Sequence, residues 1–192
     1  MAKNEPVSSE AYNGMSIKIF QDESAGNPRE EHSNLGCMVY WHRRHVVGDV
    51  DGSKEYGRPQ DFIASLPKGT VVLPVFLLDH SGLALQTEPF GDVWDSGQVG
   101  YIYAGPDKIR EEYSVRHITH KIVEKVKDVL KCEVSELGRW MNGEVYGYVV
   151  EDEKGNHVHS CWGYYDMDLC LQEARAAVDG TQEQNVGMGA GR

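Results

Sequence analysis

The chain has 192 residues, of which 40% are hydrophobic and 26% are charged, and its formal net charge is -11. These values are typical of a globular protein with a substantial core. The negative charge disfavours sequence-independent binding of DNA or RNA, and attachment to an anionic membrane, because both require clustered Lys and Arg. We therefore expect no direct nucleic-acid binding and no membrane partner.

Both ends of the chain are polar. Residues 1–14 are predicted to form a disordered lead-in, and the glycine-rich residues 180–192 a flexible tail, with a single α+β domain over residues 15–179 between them. The start has no signal-like apolar stretch, and the longest apolar run, Val71–Leu78, is too short to span a bilayer. A cytoplasmic protein with reduced cysteines is expected.

Apolar patterning predicts the strands of a mostly antiparallel sheet of six to seven strands. They are Ser16–Phe20, Cys37–Trp41, Thr70–Leu78, Leu83–Glu88, Val99–Tyr103, Glu144–Glu151 and His157–Gly163. Two hairpins join Thr70–Leu78 to Leu83–Glu88 and Glu144–Glu151 to His157–Gly163. The continuous apolar run of the third strand favours a central position, whereas Pro74 favours an edge or a bulge because it cannot donate to the ladder.

One long helix and two to three shorter helices complete the predicted fold. The long helix follows from apolar residues at three- and four-residue steps between Ile118 and Met141, with Thr119 as its N-cap. Its outer face mixes Lys and Glu, so it is not a basic recognition helix. The shorter helices are predicted at Phe62–Leu66, at residues 105–113 and at Asp166–Val178.

Two polar clusters follow apolar strands and are candidates for a site. Asp79–His80–Ser81–Gly82 contains the residue types of a hydrolase, but adjacent residues on a turn point apart, and the same residues suit a hairpin turn. Trp94–Gln98 also suits a turn, except that Trp94 fits an exposed interface anchor as well as a lid on the core. If both turns lie at one end of the sheet, one site is lined by four residues: Asp79, His80, Asp95 and Gln98.

The segment His42–Arg43–Arg44–His45 is the densest basic spot, and Arg29 and His32 lie upstream of it. These guanidinium groups are suited to clamping a phosphate or carboxylate, and equally to pairing with carboxylates of the chain itself. The chain contains no Walker-type loop, and His157 and His159 alone do not hold zinc. No metal and no cofactor are therefore predicted.

Much of the negative charge lies near the C-terminus. Nine Asp and Glu between Glu144 and Arg192 face three Lys and Arg, which accounts for six of the eleven excess charges. Glu151, Asp152 and Glu153 are the densest group. They fit either a solvated face or an acidic surface that docks on a basic partner.

Five motifs in order resemble a set of uncharacterised proteins of bacterial and archaeal phages, prophages and other mobile elements. They are PREEHSNLGCMVYWHRRHVVGD, LLDHSG, WDSGQVGYIY, GEVYGYVVED and SCWGYY. The resemblance spans residues 16–165. It implies a phage-borne accessory protein of the host cytoplasm and supplies no catalytic residue.

Besides a structural or regulatory phage protein with no host target, two functions remain open from the sequence. The first is a counter-defence inhibitor of the anti-CRISPR or anti-restriction type, which binds a host defence protein or its nucleic-acid complex. The second is a small-molecule or nucleotide-binding protein or hydrolase, with its site at the DHSG and WDSGQ turns. Whether the protein is an enzyme is left open.

Overall fold

The computed structural model describes residues 5–92 and 94–189, with side chains through Thr181. Contacts divide the chain into two units, each with its own hydrophobic core. Unit 1 combines Met1–Ala25 with Gly143–Arg192, and unit 2 consists of Gly26–Asn142. The region predicted as one domain, residues 15–179, contributes to both units.

The described residues contain nine strands and six helices. The strands are β1 (Ser8–Tyr12), β2 (Met15–Gln21), β3 (Cys37–Tyr40), β4 (Val50–Asp51), β5 (Val71–Asp79), β6 (Leu83–Gln86), β7 (Ser96–Ala104), β8 (Tyr146–Glu151) and β9 (His157–Tyr164). The helices are α1 (Pro28–Glu31), α2 (Gly52–Glu55), α3 (Pro59–Ser65), α4 (Pro106–Glu112), α5 (His120–Met141) and α6 (Met167–Gly189).

Unit 1 is an antiparallel sheet of four strands in the order β1-β2-β8-β9, with α6 on one face. Alternate residues of the two central strands face the helix, and the helix presents one residue per turn to them. The fully or almost fully buried members of this core are Ile17, Ile19, Tyr148, Val150, Cys170, Ala174 and Val178.

Unit 2 is a five-stranded sheet in the order β4-β3-β7-β5-β6, with α5 packed on one face. Its pairs are antiparallel except for β3 with β4. The core-facing side of α5 repeats every three to four residues, as the sequence periodicity predicts. Its buried apolar members are Val126, Leu130, Val134 and Leu137.

Pro74 illustrates how one strand can be central and still contain proline. β5 lies between β7 and β6, and Pro74 stands opposite Tyr101 of β7. The ladder with β6 begins only at Phe76, which pairs with Gln86. Pro74 therefore lies where no strand of the described residues pairs with β5 on its β6 side, and a register shift between Val75 and Phe76 follows it. Both conflicting sequence signals were correct, each for a different part of the strand.

The α+β class, the mostly antiparallel pairing and the long helix α5 are confirmed. The count of six to seven strands in one sheet is wrong, because the described strands number nine and form two sheets. The count of two to three shorter helices is also wrong, because five helices besides α5 are described. The predicted lead-in, residues 1–14, contains β1; residues 1–4 lie outside the described residues. The predicted tail, residues 180–192, overlaps α6, and residues 190–192 lie outside the described part.

Within the described part of the chain, no helix combines the length and the apolar character needed to cross a bilayer.

Candidate functional site

The two polar turns meet at one end of the unit 2 sheet. Leu78 of β5 pairs with Ser96 of β7, which brings the strand ends side by side. Beyond this pair the Asp79 amide donates to the carbonyl oxygen of Asp95 at 2.9 Å. The register of the β5–β7 ladder therefore places both turns at the same end of the sheet, which is what a single site requires.

Arg44, two imidazoles and two carboxylates contact each other across these turns. Arg44 Nη2 donates to Asp79 Oδ2 at 2.8 Å, and His45 Nε2 lies 3.4 Å from the same oxygen. His80 Nδ1 lies 2.7 Å from Asp95 Oδ2. The Arg44 and His80 side chains are 73% and 66% exposed, so solvent screens these pairs and they contribute little to stability. The guanidinium of Arg44 and the imidazole of His80 remain accessible to a partner.

The loop that carries Arg44 is ordered by two histidines. The His42 and His45 rings stack with centroids 5.2 Å apart and planes 4° apart. The His45 amide donates to His42 Nδ1 at 3.1 Å, which requires that this nitrogen be unprotonated. Burial lowers the pKa of His42, and the neighbouring charges of His45 and Arg44 lower it further. A neutral His42 thus shapes the loop that presents Arg44.

Trp94 projects from the second turn. Trp94 is 92% exposed, which is the largest value among the large hydrophobic residues described. Asp92 supports the turn from within, because its Oδ1 accepts from the Trp94 amide at 2.9 Å and from the Asp95 amide at 3.4 Å. Ser96 Oγ donates to the Asp92 carbonyl oxygen. The turn is therefore held by its own polar groups and does not need Trp94 as a core residue.

Not every predicted site residue joins this cluster. Gln98 pairs with Phe76 in the β5–β7 ladder, and its side-chain amide donates to the Gly100 carbonyl oxygen at 3.3 Å. Arg43 is exposed in the loop before β4. The residues whose contacts build the cluster are Arg44, His45, Asp79, His80 and Asp95. The sequence analysis placed His45 in the basic spot but not among the residues lining the site.

Glu151, Asp152 and Glu153 belong to unit 1, where the first two have local structural roles. Glu151 Oε2 accepts from Lys18 Nζ at 2.6 Å across the β2–β8 ladder. Asp152 organises the β8–β9 turn: its Oδ1 accepts from the amides of Lys154 and Asn156 at 2.9 and 2.8 Å. Glu151 and Asp152 therefore have structural partners, and the three residues are not a uniformly free acidic surface.

A buried ion network in unit 2 was not predicted. All five N–H donors of Arg29 have acceptors: Asp49 takes two of them, and Glu133, Asn34 and the Gly36 carbonyl oxygen take one each. Burial lowers the pKa of Arg29, but the hydrogen bonds and charges of Asp49 and Glu133 outweigh it and raise the pKa above its ordinary value. The sequence left two roles open for Arg29, clamping an anionic ligand or pairing with carboxylates of the chain itself. The structure shows the second.

Glu133, which accepts hydrogen bonds from Arg29, is the member of this network that the helical periodicity of α5 could have identified. It occupies a core-facing step of α5, between Leu130 and Leu137, where a carboxylate must find partners. Its Oε1 accepts from the amides of Leu35 and Gly36 at 2.7 and 3.1 Å. A charged residue on the apolar stripe was the available signal, although nothing local identifies Arg29 as its partner.

The described contacts of the cluster at the two turns show only part of the arrangement that a serine hydrolase needs. The Asp95–His80 pair resembles the carboxylate and imidazole that orient a general base. Among the described contacts, none joins His80 to a serine hydroxyl, and Ser81 adopts a positive φ of 53° within its turn. The described residues also contain no group of three or more His, Cys, Asp or Glu placed to hold a metal ion.

No protein-family model, no curated protein and no solved structure matches this chain.

Proposed function

We propose that the protein acts by binding another protein through the Trp94 surface, defined as Trp94 together with Arg44, His45, Asp79, His80 and Asp95. The observation that carries this proposal is the 92% exposure of Trp94 on a turn held by other residues. A tryptophan offers a large apolar area at a low cost in conformational entropy, and it is enriched among the residues that dominate binding energy.

The charges around Trp94 favour a protein partner over a polyanion. Arg44 is paired with Asp79, and the His80 imidazole contacts Asp95, so the surface combines one guanidinium, two carboxylates and polar imidazole groups. A nucleic acid is bound by uncompensated Lys and Arg, which this cluster does not supply. Mixed polar contacts around a central aromatic residue are the usual composition of a protein–protein interface.

The motif resemblance suggests the biological setting of this binding. A phage accessory protein that binds a component of host defence acts as a counter-defence inhibitor of the anti-CRISPR or anti-restriction type. In this proposal, the Trp94 surface occupies a site on the defence protein or its nucleic-acid complex and excludes the natural ligand. In this proposal, the binding takes place in the host cytoplasm.

The test is a phage plating assay in bacterial strains that carry one defined CRISPR or restriction system each. Expression of the wild-type protein is expected to restore plating in at least one strain, and Trp94→Ala to abolish the effect. Leu169→Ala is the matched control, because Leu169 is also exposed, at 48%, but lies in unit 1. Equal activity of wild type and Trp94→Ala would overturn the role of the surface.

The His80–Asp95 pair favours a second candidate, a small-ligand-binding or hydrolytic site at the same turns. The 2.7 Å contact fixes the imidazole as a general base requires. Asp95→Asn distinguishes the two candidates. A hydrolase is expected to lose its activity on this conservative change, whereas an interface centred on Trp94 is expected to retain most of its affinity.

A further inference from the structure

We propose that the outer edge of β9 accepts an extended basic segment of a partner protein as a fifth strand of the unit 1 sheet. β9 is the last strand in the order β1-β2-β8-β9 and pairs with β8 on one side. In an edge strand, the outward N–H and C=O groups are available to a further strand. This inference concerns a different surface from the Trp94 surface and does not depend on it.

Three of the four sheet edges in the described chain have features that block strand addition. β4 has two residues. β6 has four, and the Leu83 amide at its start already donates to the Asn142 side chain at 2.7 Å. On β1, Glu10 is a charged residue of the edge strand, and both Nε and Nη2 of Arg175 donate to its carboxylate. Short edge strands and charged side chains are common protections against added strands.

β9 has neither of these protections. It is eight residues long, and its sequence HVHSCWGY contains no Asp, Glu, Lys, Arg or Pro. Register shifts leave Val158 and Gly163 as extra residues near its ends. Between them, residues 159–162 pair with β8 without interruption, and His159, Ser160 and Trp162 are exposed. This uninterrupted segment is long enough to add a short strand in register.

The charge of unit 1 indicates the chemistry of the added segment. Its sequence contains 13 Asp and Glu against 5 Lys and Arg, which is a formal charge of -8 out of the chain's -11. Asp168 and Glu173 are exposed on α6, which packs against β9. An acidic surface beside an uncharged edge is complementary to an extended segment that carries Lys or Arg.

Trp162 supplies a side-chain contact for such a segment. It is 47% exposed and lies over Gly147, where even one added carbon atom would overlap the indole ring at 2.2 Å. Phe20 holds the ring from the side, with centroids 6.2 Å apart. A Lys or Arg opposite Trp162 in the added strand would stack on the exposed indole face as a cation–π pair.

The test uses the full chain and a capped synthetic peptide of about nine residues in which Lys alternates with Val. Amide hydrogen exchange is measured with and without the peptide, at concentrations up to about 1 mM. We expect slower exchange of residues 157–164 and unchanged exchange of β1. An analogue with Glu in place of every Lys is expected to bind at least about tenfold more weakly. Unchanged exchange of β9, or equal protection by both peptides, would overturn the proposal.

Two matched variants connect binding to the edge. Ser160→Lys introduces a charge in the middle of β9 and is expected to weaken binding of the basic peptide by about tenfold. Ser9→Lys introduces the same charge on β1 and is expected to leave binding unchanged. Unchanged exchange at β8 in the free variants verifies that the sheet is intact. Equal affinity of Ser160→Lys and wild type would contradict the edge as the binding site.

A third variant separates this inference from the proposed function. Trp94→Ala is expected to bind the basic peptide with wild-type affinity, because Trp94 belongs to unit 2 and the β9 edge to unit 1. Loss of peptide binding in this variant would contradict the assignment to β9. Failure in the plating assay with retained peptide binding would leave the β9 inference standing and remove the proposed function alone.

Discussion

Arg29 Nη1 donates to Glu133 Oε2 at 2.7 Å, although 104 positions separate the two residues in the chain. Their side chains are 3% and 8% exposed, which makes this the most buried ion pair among those described. Since Asp49 binds the same guanidinium, one arginine holds together the loop before β3, the loop before β4 and helix α5.

We expect Glu133→Ala to lower the free energy of unfolding by about 3–5 kcal/mol, because it leaves a buried guanidinium without one of its carboxylates and two buried amides without their acceptor. Urea denaturation of the full chain measures the change. Arg58→Met is the control, since the Arg58–Asp61 pair is exposed and should have little effect on the midpoint. Similar midpoints for the two variants would mean that the buried network adds no stability.

Two glycines of β7 provide a matched pair for testing close packing between strands. A methyl group at Gly100 would lie 2.2 Å from the Val39 carbonyl oxygen, a backbone atom that cannot move away, whereas a methyl group at Gly97 meets nothing within 4 Å. We expect Gly100→Ala to destabilise the protein by about 1–3 kcal/mol or more, and Gly97→Ala to be nearly neutral. Thermal unfolding followed by circular dichroism tests this, and equal melting temperatures would contradict the register of β3 and β7.

Stability near neutral pH is expected to depend on His42. Because its pKa in the folded protein lies below the ordinary 6.5, the unfolded chain binds more protons as the pH falls through 6.5. Stability therefore decreases from about pH 7.5 to about pH 5.5. In His42→Asn, the amide oxygen can accept the His45 N–H without titrating, so the decrease should be smaller.

The measurement is the denaturant midpoint across this pH range. His117→Asn, a change at an exposed histidine before α5, serves as the control and should retain the wild-type profile. If His42→Asn and wild type have the same profile, protonation of His42 does not affect the folded loop.

The neighbouring residues Asp152 and Glu153 are expected to respond differently to truncation. Asp152→Ala removes the acceptor of two turn amides and of Asn156 Nδ2, and should lower the melting temperature and speed amide exchange in β8 and β9. Glu153→Ala should change neither. The bonds from Asn156 lower the pKa of Asp152 below 3.8, so its contribution is present above that pH and is lost as the pH falls through the lowered pKa. Identical melting temperatures for both variants would contradict the turn assignment.

Local sequence signals predicted much of the fold. The three- and four-residue steps from Ile118 to Met141 and the Thr119 cap located α5, and Thr119 Oγ1 does accept from the Ile122 amide. One local signal was missed. Asn13–Gly14, both with positive φ, is the residue pair favoured in a two-residue hairpin turn, and it joins β1 to β2. Because SSEAY is polar and short, the strand before this turn was predicted as disordered.

Pairings between distant segments had no local signal. The β2–β8 ladder joins residues near both ends of the chain, as Lys18 and Glu151 show at a separation of 133 positions. Alternating apolar residues predict that each segment is a strand, but they do not identify its neighbour. The candidate site also could not be located from local sequence alone. Asp79 and Asp95 come together through the β5–β7 register, and Arg44 reaches Asp79 from a loop of irregular structure.

The interrupted sequence of unit 1 has a consequence for synthesis on the ribosome. β2 emerges early, but its neighbour β8 begins only at Tyr146, after all of unit 2 has been made. Translation from the N-terminus thus allows unit 2 to fold first. During this time the β1–β2 hairpin lacks β8, the strand that pairs with β2 in the complete sheet. A released chain that ends just before β8 should therefore contain a folded unit 2 and a β1–β2 hairpin that is exposed to proteases and chaperones.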